Sequence, residues 1–268
     1  MNPIHHGPKP YAILVKVILF YVITLVIFAA MAALTRRMPF AGHVAMLACV
    51  VLTWLLTVLF VRRDKISLKE TGVSPGRTST SRFLIGFAAG TAMVSVQVLI
   101  LAAIAPVKFS FAGKIPWDGI SLSLLLYLLI ACREELAFRG YALQRLSSAL
   151  SPAAGLVIIT LVFILEHVMA GLSWKMAVIG PGLGGVLFGL AALKTKGIAL
   201  PIGLHFSWNF MQWLLGFKDQ TGIWRELVEK GQERYAENAA LISYSIVMVL
   251  AIAGVAFFVR SPSSQPAV

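Results

Sequence analysis

The chain has 268 residues, 59% of them hydrophobic and 13% charged, with a mean hydropathy of +0.85. That is more apolar surface than one water-soluble core can hide, which excludes a soluble globular domain and indicates an integral membrane protein. Lys and Arg outnumber Asp and Glu by 23 to 11, a net charge of +12. In so apolar a chain this excess marks loops facing an anionic leaflet rather than a nucleic-acid surface. Cys49 and Cys132 lie inside apolar runs with no partner at metal or redox spacing, which suggests neither a disulfide framework nor a thiolate metal site.

Crossing a hydrocarbon layer of ~30 Å takes roughly 17–25 apolar residues in a helix, and about eight stretches qualify. They fall at 11–34, 43–61, 83–105, 120–143, 153–172, 176–193, 198–216 and 239–259. The fold class is therefore all-α, a polytopic membrane protein. The first stretch follows His5, His6, Lys9 and the prolines Pro3, Pro8 and Pro10. It has no small-residue cleavage site and outruns signal-peptide length, so a retained helix is expected.

The link between the second and third stretches carries Arg62, Arg63, Lys65, Lys69, Arg77 and Arg82 against Asp64 and Glu70, and by the positive-inside rule it is cytoplasmic. Counting crossings onward puts both termini in the cytoplasm of a cell-membrane protein. Arg145, the turn at Ser151 and Pro152, Lys194, Lys196 and Arg260 fall on the same side, whereas Arg36 and Arg37 fall outside, against the rule. Gly86, Gly90 and the run Gly180, Gly182, Gly184, Gly185 and Gly189 supply small residues for close helix packing within the chain. The charged segment 217–238 looks like an exposed outer amphipathic helix that could contact a partner or the membrane surface, with an ordinary solvated loop the favoured account. No repeat or linker divides the chain, so a single transmembrane domain over 1–268 is expected.

Ionisable groups in membrane helices cost roughly 2.5–3.5 kcal/mol each at the helix centre, so they point to function. Here they cluster: Arg133, Glu134, Glu135 and Arg139 on the fourth helix, Glu166 and His167 on the fifth, His205 and Asn209 on the seventh. In an antiparallel hairpin about Ser151 and Pro152, Glu134 and His167 are equidistant from the turn and should face each other. Glu135 and Arg139, four residues apart, share a face and can pair, while Glu134 points roughly 140° away from Arg139. Glu166 is directed to pair with Arg133 or Arg139. A carboxylate beside an imidazole, both withdrawn from water, can hold and deprotonate a water molecule. A second imidazole and a carboxamide supply donors for the oxyanion formed when that water attacks a carbonyl. The set reads as amide hydrolysis.

Three strings resemble the motifs of the CAAX-protease and bacteriocin-processing family, also called Abi. Glu134, Glu135 and Arg139 fall on EExxxR, Phe163 and His167 on FxxxH, and His205 and Asn209 on HxxxN. The resemblance covers roughly 121–216, which it marks as the catalytic core. It implies an all-helical intramembrane endopeptidase, type II CAAX prenyl endopeptidase-like, acting on a membrane-associated protein or peptide. Glu134 and His167 would then activate the water, His205 and Asn209 would stabilise the oxyanion, and Glu135 and Arg139 would position the first glutamate.

The family has also been described as metalloproteases, and Glu134, His167 and His205 are acceptable zinc ligands. The chain lacks HExxH, Asn209 is a poor ligand, and no carboxylate is evident behind the histidines, so metal-independent glutamate chemistry without a cofactor is favoured. Serine or cysteine chemistry is not supported: Cys132 has no histidine at a suitable spacing, and Ser207 points away from His205. A transporter would show repeated halves, and none are found. A non-proteolytic membrane scaffold or immunity protein is the remaining alternative. His5, His6 and His43 are assigned no role. Membrane lipid is the other expected partner, and no nucleic acid is.

Overall fold

The computed structural model describes residues 10–218 and 222–259; His5, His6 and Arg260 lie outside the described residues. Six helices are long and apolar enough to cross a membrane: α1 (Pro10–Thr35), α2 (Ala41–Asp64), α3 (Ser79–Ile104), α6 (Pro152–Met169), α7 (Trp174–Thr195) and α9 (Glu233–Phe258). Between them come α4 (Trp117–Phe138), α5 (Tyr141–Ala149) and α8 (Ala199–Leu214). An all-α membrane protein is what the composition calls for, because in lipid every backbone N–H and C=O must be paired within the segment.

α8 stands apart from the six. Its sixteen residues span about 24 Å, and its buried residues, from Leu200 and Pro201 through His205 and Phe206 to Trp213, lie on all sides of the helix. It is a central helix, enclosed by protein rather than lipid, and this is why it tolerates His, Asn and Gln. α3 packs against it at backbone range. A Cβ on Gly86 would sit 2.3 Å from Leu200 O, one on Gly203 2.2 Å from Phe83 O, and one on Gly90 2.8 Å from Leu204 O. The matching order of these contacts makes the two helices parallel. Without a hydrophobic force between helices in lipid, such close approach is what holds them.

The expected fourth helix, 120–143, is two. α4 ends at Phe138, Gly140 adopts ψ −116°, and α5 leaves in a new direction. Gly140 is closely confined: a Cβ there would lie 2.8 Å from Leu136 O and 3.0 Å from Val73 Cγ2. The hairpin at Ser151 therefore joins α5, not α4, to α6. Ser151 Oγ caps α6 by accepting from Ala154 N, with Pro152 in the first turn. α5 is pinned at its base: Asp64 accepts from Lys16 and from Tyr141 Oη at 3.0 Å and is ion-paired with Arg145, whose Nε lies 2.9 Å away, tying α1, α2 and α5 together.

The outer segment also holds a strand in place of a helix or loop. Trp224–Val228 forms β2, paired antiparallel with β1 (Val107–Phe111), Val107 opposite Val228 and Phe111 opposite Trp224. Cross-strand packing accounts for this: the Phe111 and Trp224 rings meet at 5.9 Å, and Phe109 meets Phe217 at 5.6 Å. The ribbon caps Leu101, Ala105, Ala236 and Ala239, joining the end of α3 to the start of α9. Within the helical body, one apolar cluster runs through α1, α2, α5 and α6, with Phe20, Phe60, Tyr141 and Phe163, and a second through α3, α7, α8 and α9, with Val94, Phe188, Trp208 and Met248. Phe163 and Phe188, from the two clusters, both stack on the same guanidinium.

Candidate active site

That guanidinium is Arg139. Its side chain and that of Glu135 are both 0% exposed, and Arg139 Cζ lies 4.4 Å from the Phe163 ring centre, 5.4 Å from Phe138 and 5.7 Å from Phe188. A charge so enclosed needs a counter-charge, and Glu135 Oε1 provides it at 3.3 Å. The same oxygen accepts from His205 Nδ1 at 2.9 Å, seventy residues away in sequence. Glu135 and Arg139 thus hold the His205 imidazole, which also stacks on Phe188 at 4.7 Å with 14° between the planes.

With Nδ1 committed to Glu135, His205 presents Nε2 to the site, 3.8 Å from Glu134 Oε2. Glu134 Oε2 is buried and makes no hydrogen bond among the described residues. His167 Nδ1 donates to Phe163 O at 2.8 Å, one turn back on α6, leaving Nε2 as the acceptor of the neutral ring. Glu134 and His167 line one cavity of about 430 Å³, walled otherwise by α1, α2 and α4 side chains such as Leu25, Phe28 and Met46. His167, His205 and Asn209 line a second, of about 460 Å³, which extends toward the ribbon end, where Lys218 and Glu237 border it. His167 borders both.

Asn209 sits one turn beyond His205 on α8, and its Oδ1 accepts from Lys218 Nζ at 2.8 Å. Glu166 is fully occupied elsewhere: Oε1 accepts from Arg133 Nη1 at 2.6 Å and Oε2 from Tyr21 Oη at 2.7 Å. Its partner is therefore Arg133 and not Arg139. His43 Nε2 lies 2.9 Å from Leu122 O, bridging α2 and α4. Ser207 bonds its own helix at Leu204 O and lies against Gly90, away from the histidines. Cys49 is buried and Cys132 half-buried, both reduced.

Sequence reading singled out neither Lys218 nor two glutamines in the larger cavity. Gln212 Nε2 donates to Gln97 Oε1 at 3.2 Å. Gln212 could have been found, because it continues the His205 and Asn209 face of α8. Gln97 is a lone amide in an apolar helix, and only the fold brings it there.

Among the described residues no three His, Cys, Asp or Glu side chains are grouped to hold a metal ion. Glu134, His167 and His205, the alternative zinc set, are not grouped in that way. A carboxylate does lie behind one histidine, contrary to the sequence expectation: Glu135 engages His205 Nδ1 and leaves Nε2 facing the site.

Residues 116–211 match the model of the family described as type II CAAX prenyl endopeptidase Rce1-like. The matched stretch contains all three motifs and both halves of the site, and it bears out the resemblance. Over that stretch, rather more than a third of the chain, the sequence is similar to a CAAX-type intramembrane protease family. No curated protein and no solved structure matches it.

Proposed function

We propose that the protein is an intramembrane endopeptidase that hydrolyses a peptide bond of a membrane-associated protein or peptide, with Glu134 as general base. The observation that carries this reading is Glu134 Oε2, a buried carboxylate oxygen with no hydrogen-bond partner among the described residues, 3.8 Å from His205 Nε2 and sharing a cavity with His167. A buried acceptor left without a protein donor is costly unless it serves a reactant.

In this reading Glu134 and His167 Nε2 accept hydrogen bonds from one water molecule. Glu134 takes a proton as the water oxygen attacks the scissile carbonyl carbon. The carbonyl oxygen becomes an oxyanion facing His205 and the Asn209 carboxamide. Glu135, bonded to His205 Nδ1, balances positive charge on that ring when Nε2 carries a proton. Collapse breaks the C–N bond, and Glu134 returns its proton to the departing amine nitrogen. No step in this reading requires a metal ion. A prenylated carboxy-terminal CAAX-type segment is the substrate class that the family suggests; the apolar walls of both cavities suit a lipid-modified or membrane-embedded chain. Basic residues gathered at one end support a cell-membrane protein with that end, and both termini, in the cytoplasm.

The test is cleavage of prenylated and unmodified membrane peptides by detergent-purified protein. Wild type is expected to cleave with or without a chelator, and Glu134→Ala to lose at least about 10³-fold in kcat while remaining folded. Activity lost to a chelator and restored by zinc would replace the glutamate reading with the metal one. Inactivity of wild type on every peptide would leave the scaffold.

A further inference from the structure

α8 presents more than two polar groups on its active face. His205, Asn209 and Gln212 are spaced by four and three residues, within roughly 60° of one another around the helix, so they form a single row. The row ends on a second carboxamide. Gln97, on α3, is only 4% exposed, yet it borders the larger cavity and accepts from Gln212 at 3.2 Å.

Two carboxamides joined by one hydrogen bond do not saturate each other. Each carries an acceptor oxygen and two N–H donors. In this pair Gln97 Oε1 is engaged by Gln212 Nε2, which leaves Gln97 Nε2 as donor and Gln212 Oε1 as acceptor. Neither makes another side-chain hydrogen bond among the described residues. Turning both amides over only exchanges which residue donates. One donor beside one acceptor, on a stretch of cavity wall shared with Met176, Met248 and Leu241, is the complement of a single peptide group. Both residues line the cavity, so a ligand there can reach this donor and this acceptor.

We infer that Gln97 and Gln212 form a subsite that binds the main chain of an extended peptide, holding one peptide group by its C=O and N–H. This deepens the endopeptidase reading and rests on it. Seven residues of α8 separate His205 from Gln212, about 10.5 Å, the length of about three residues of extended chain. The held group therefore lies about three residues from the scissile bond. A site that grips backbone there reads chain conformation, not side chains, and selects segments that are unwound from helix at that position. An amide already bonded within a helix offers it nothing.

The experiment measures binding, so it does not depend on turnover. A fluorescein-labelled apolar dodecapeptide, with and without a farnesylated cysteine, is titrated into detergent-solubilised full-length protein and followed by anisotropy. A set of analogues replaces one backbone amide at a time by an ester, which removes the N–H and weakens the carbonyl. Wild type is expected to lose about five- to tenfold in affinity for one ester position and little for the others. Gln212→Leu and Gln97→Leu should bind the all-amide peptide about five- to tenfold more weakly and should no longer distinguish that ester. Gln212 is half-buried, so its variant serves should Gln97→Leu fail to fold. Equal ester penalties in wild type and folded variants, or no binding of any peptide to wild type, would overturn the subsite. Peptide binding with the ester signature but no Glu134-dependent cleavage would instead overturn the endopeptidase reading and leave the subsite standing.

Discussion

Lys218 settles a choice that Asn209 cannot make alone. A carboxamide can turn either its oxygen or its NH2 toward the site, and only the NH2 can donate to an oxyanion. An ammonium group has three donors and no acceptor, so its 2.8 Å contact to Asn209 Oδ1 fixes the oxygen outward. Lys218 also lies 5.1 Å from the centre of the Tyr127 ring, which steadies the ammonium. It is a positioning residue in the proposed reaction. Lys218→Met is expected to lower kcat about tenfold to hundredfold with KM nearly unchanged, since the donor serves the transition state more than the bound substrate. Lys218→Arg keeps a donor-only group and should recover part of kcat. A purely structural Lys218 would instead shift thermal stability and KM with kcat, and the arginine variant would not separate the two.

At the scale of helices, the candidate site depends on how near α3 comes to α8. Gly203 cannot gain a side chain without moving backbone, since a Cβ would meet Phe83 O at 2.2 Å and Phe87 N at 2.9 Å. Gly203→Val should destabilise the detergent-solubilised protein by roughly 1–3 kcal/mol or more, as overpacking does, and widen the gap between Gln97 and Gln212. A thermal unfolding curve identical to wild type would show that the close packing is dispensable. The helical runs themselves were legible, because apolar length alone marks a span: 11–34 became Pro10–Thr35, and 83–105 became Ser79–Ile104. The break at Gly140 was not, since apolar residues continue on both sides and part of what confines the glycine, beside Leu136 O, is Val73 from another loop. Likewise β2 pairs across more than a hundred residues with β1, and its charges had suggested a solvated helix face. Glu134, Glu135 and Arg139 could be singled out by local spacing. The bond from Glu135 to His205 could not, because helical geometry relates residues four apart and says nothing of a residue seventy positions on.

The whole molecule has two unlike ends. At one, Arg82 Nη1 donates to Thr195 O at 2.8 Å, Arg145 meets Asp64, and Lys194 Nζ donates to Ala256 O at 2.8 Å. These contacts gather the start of α1, the end of α2, the start of α3, α5, the end of α7 and the end of α9 on one face, together with Arg62, Arg63, Lys65, Lys69 and Lys196. The opposite end carries the β ribbon, Arg36 and Arg37, and the exposed rings of Trp117 and Trp174, suited to a membrane–water boundary. Each basic residue near an anionic leaflet contributes about 1 kcal/mol, so the first end should face the cytoplasm, and the two misplaced arginines are outweighed rather than contradictory. Because α1 begins and α9 ends on the same face, orientation can be read from single cysteines. Cys49 is buried and Cys132 half-buried, and both are expected to be shielded from a membrane-impermeant maleimide. Arg77→Cys and Lys196→Cys should label only after cells are permeabilised, while Lys114→Cys and Lys230→Cys should label in intact cells. The reverse pattern would invert the protein. It would also put the larger cavity, which extends toward the ribbon, in reach of chains arriving from the cytoplasm instead of from the outer face.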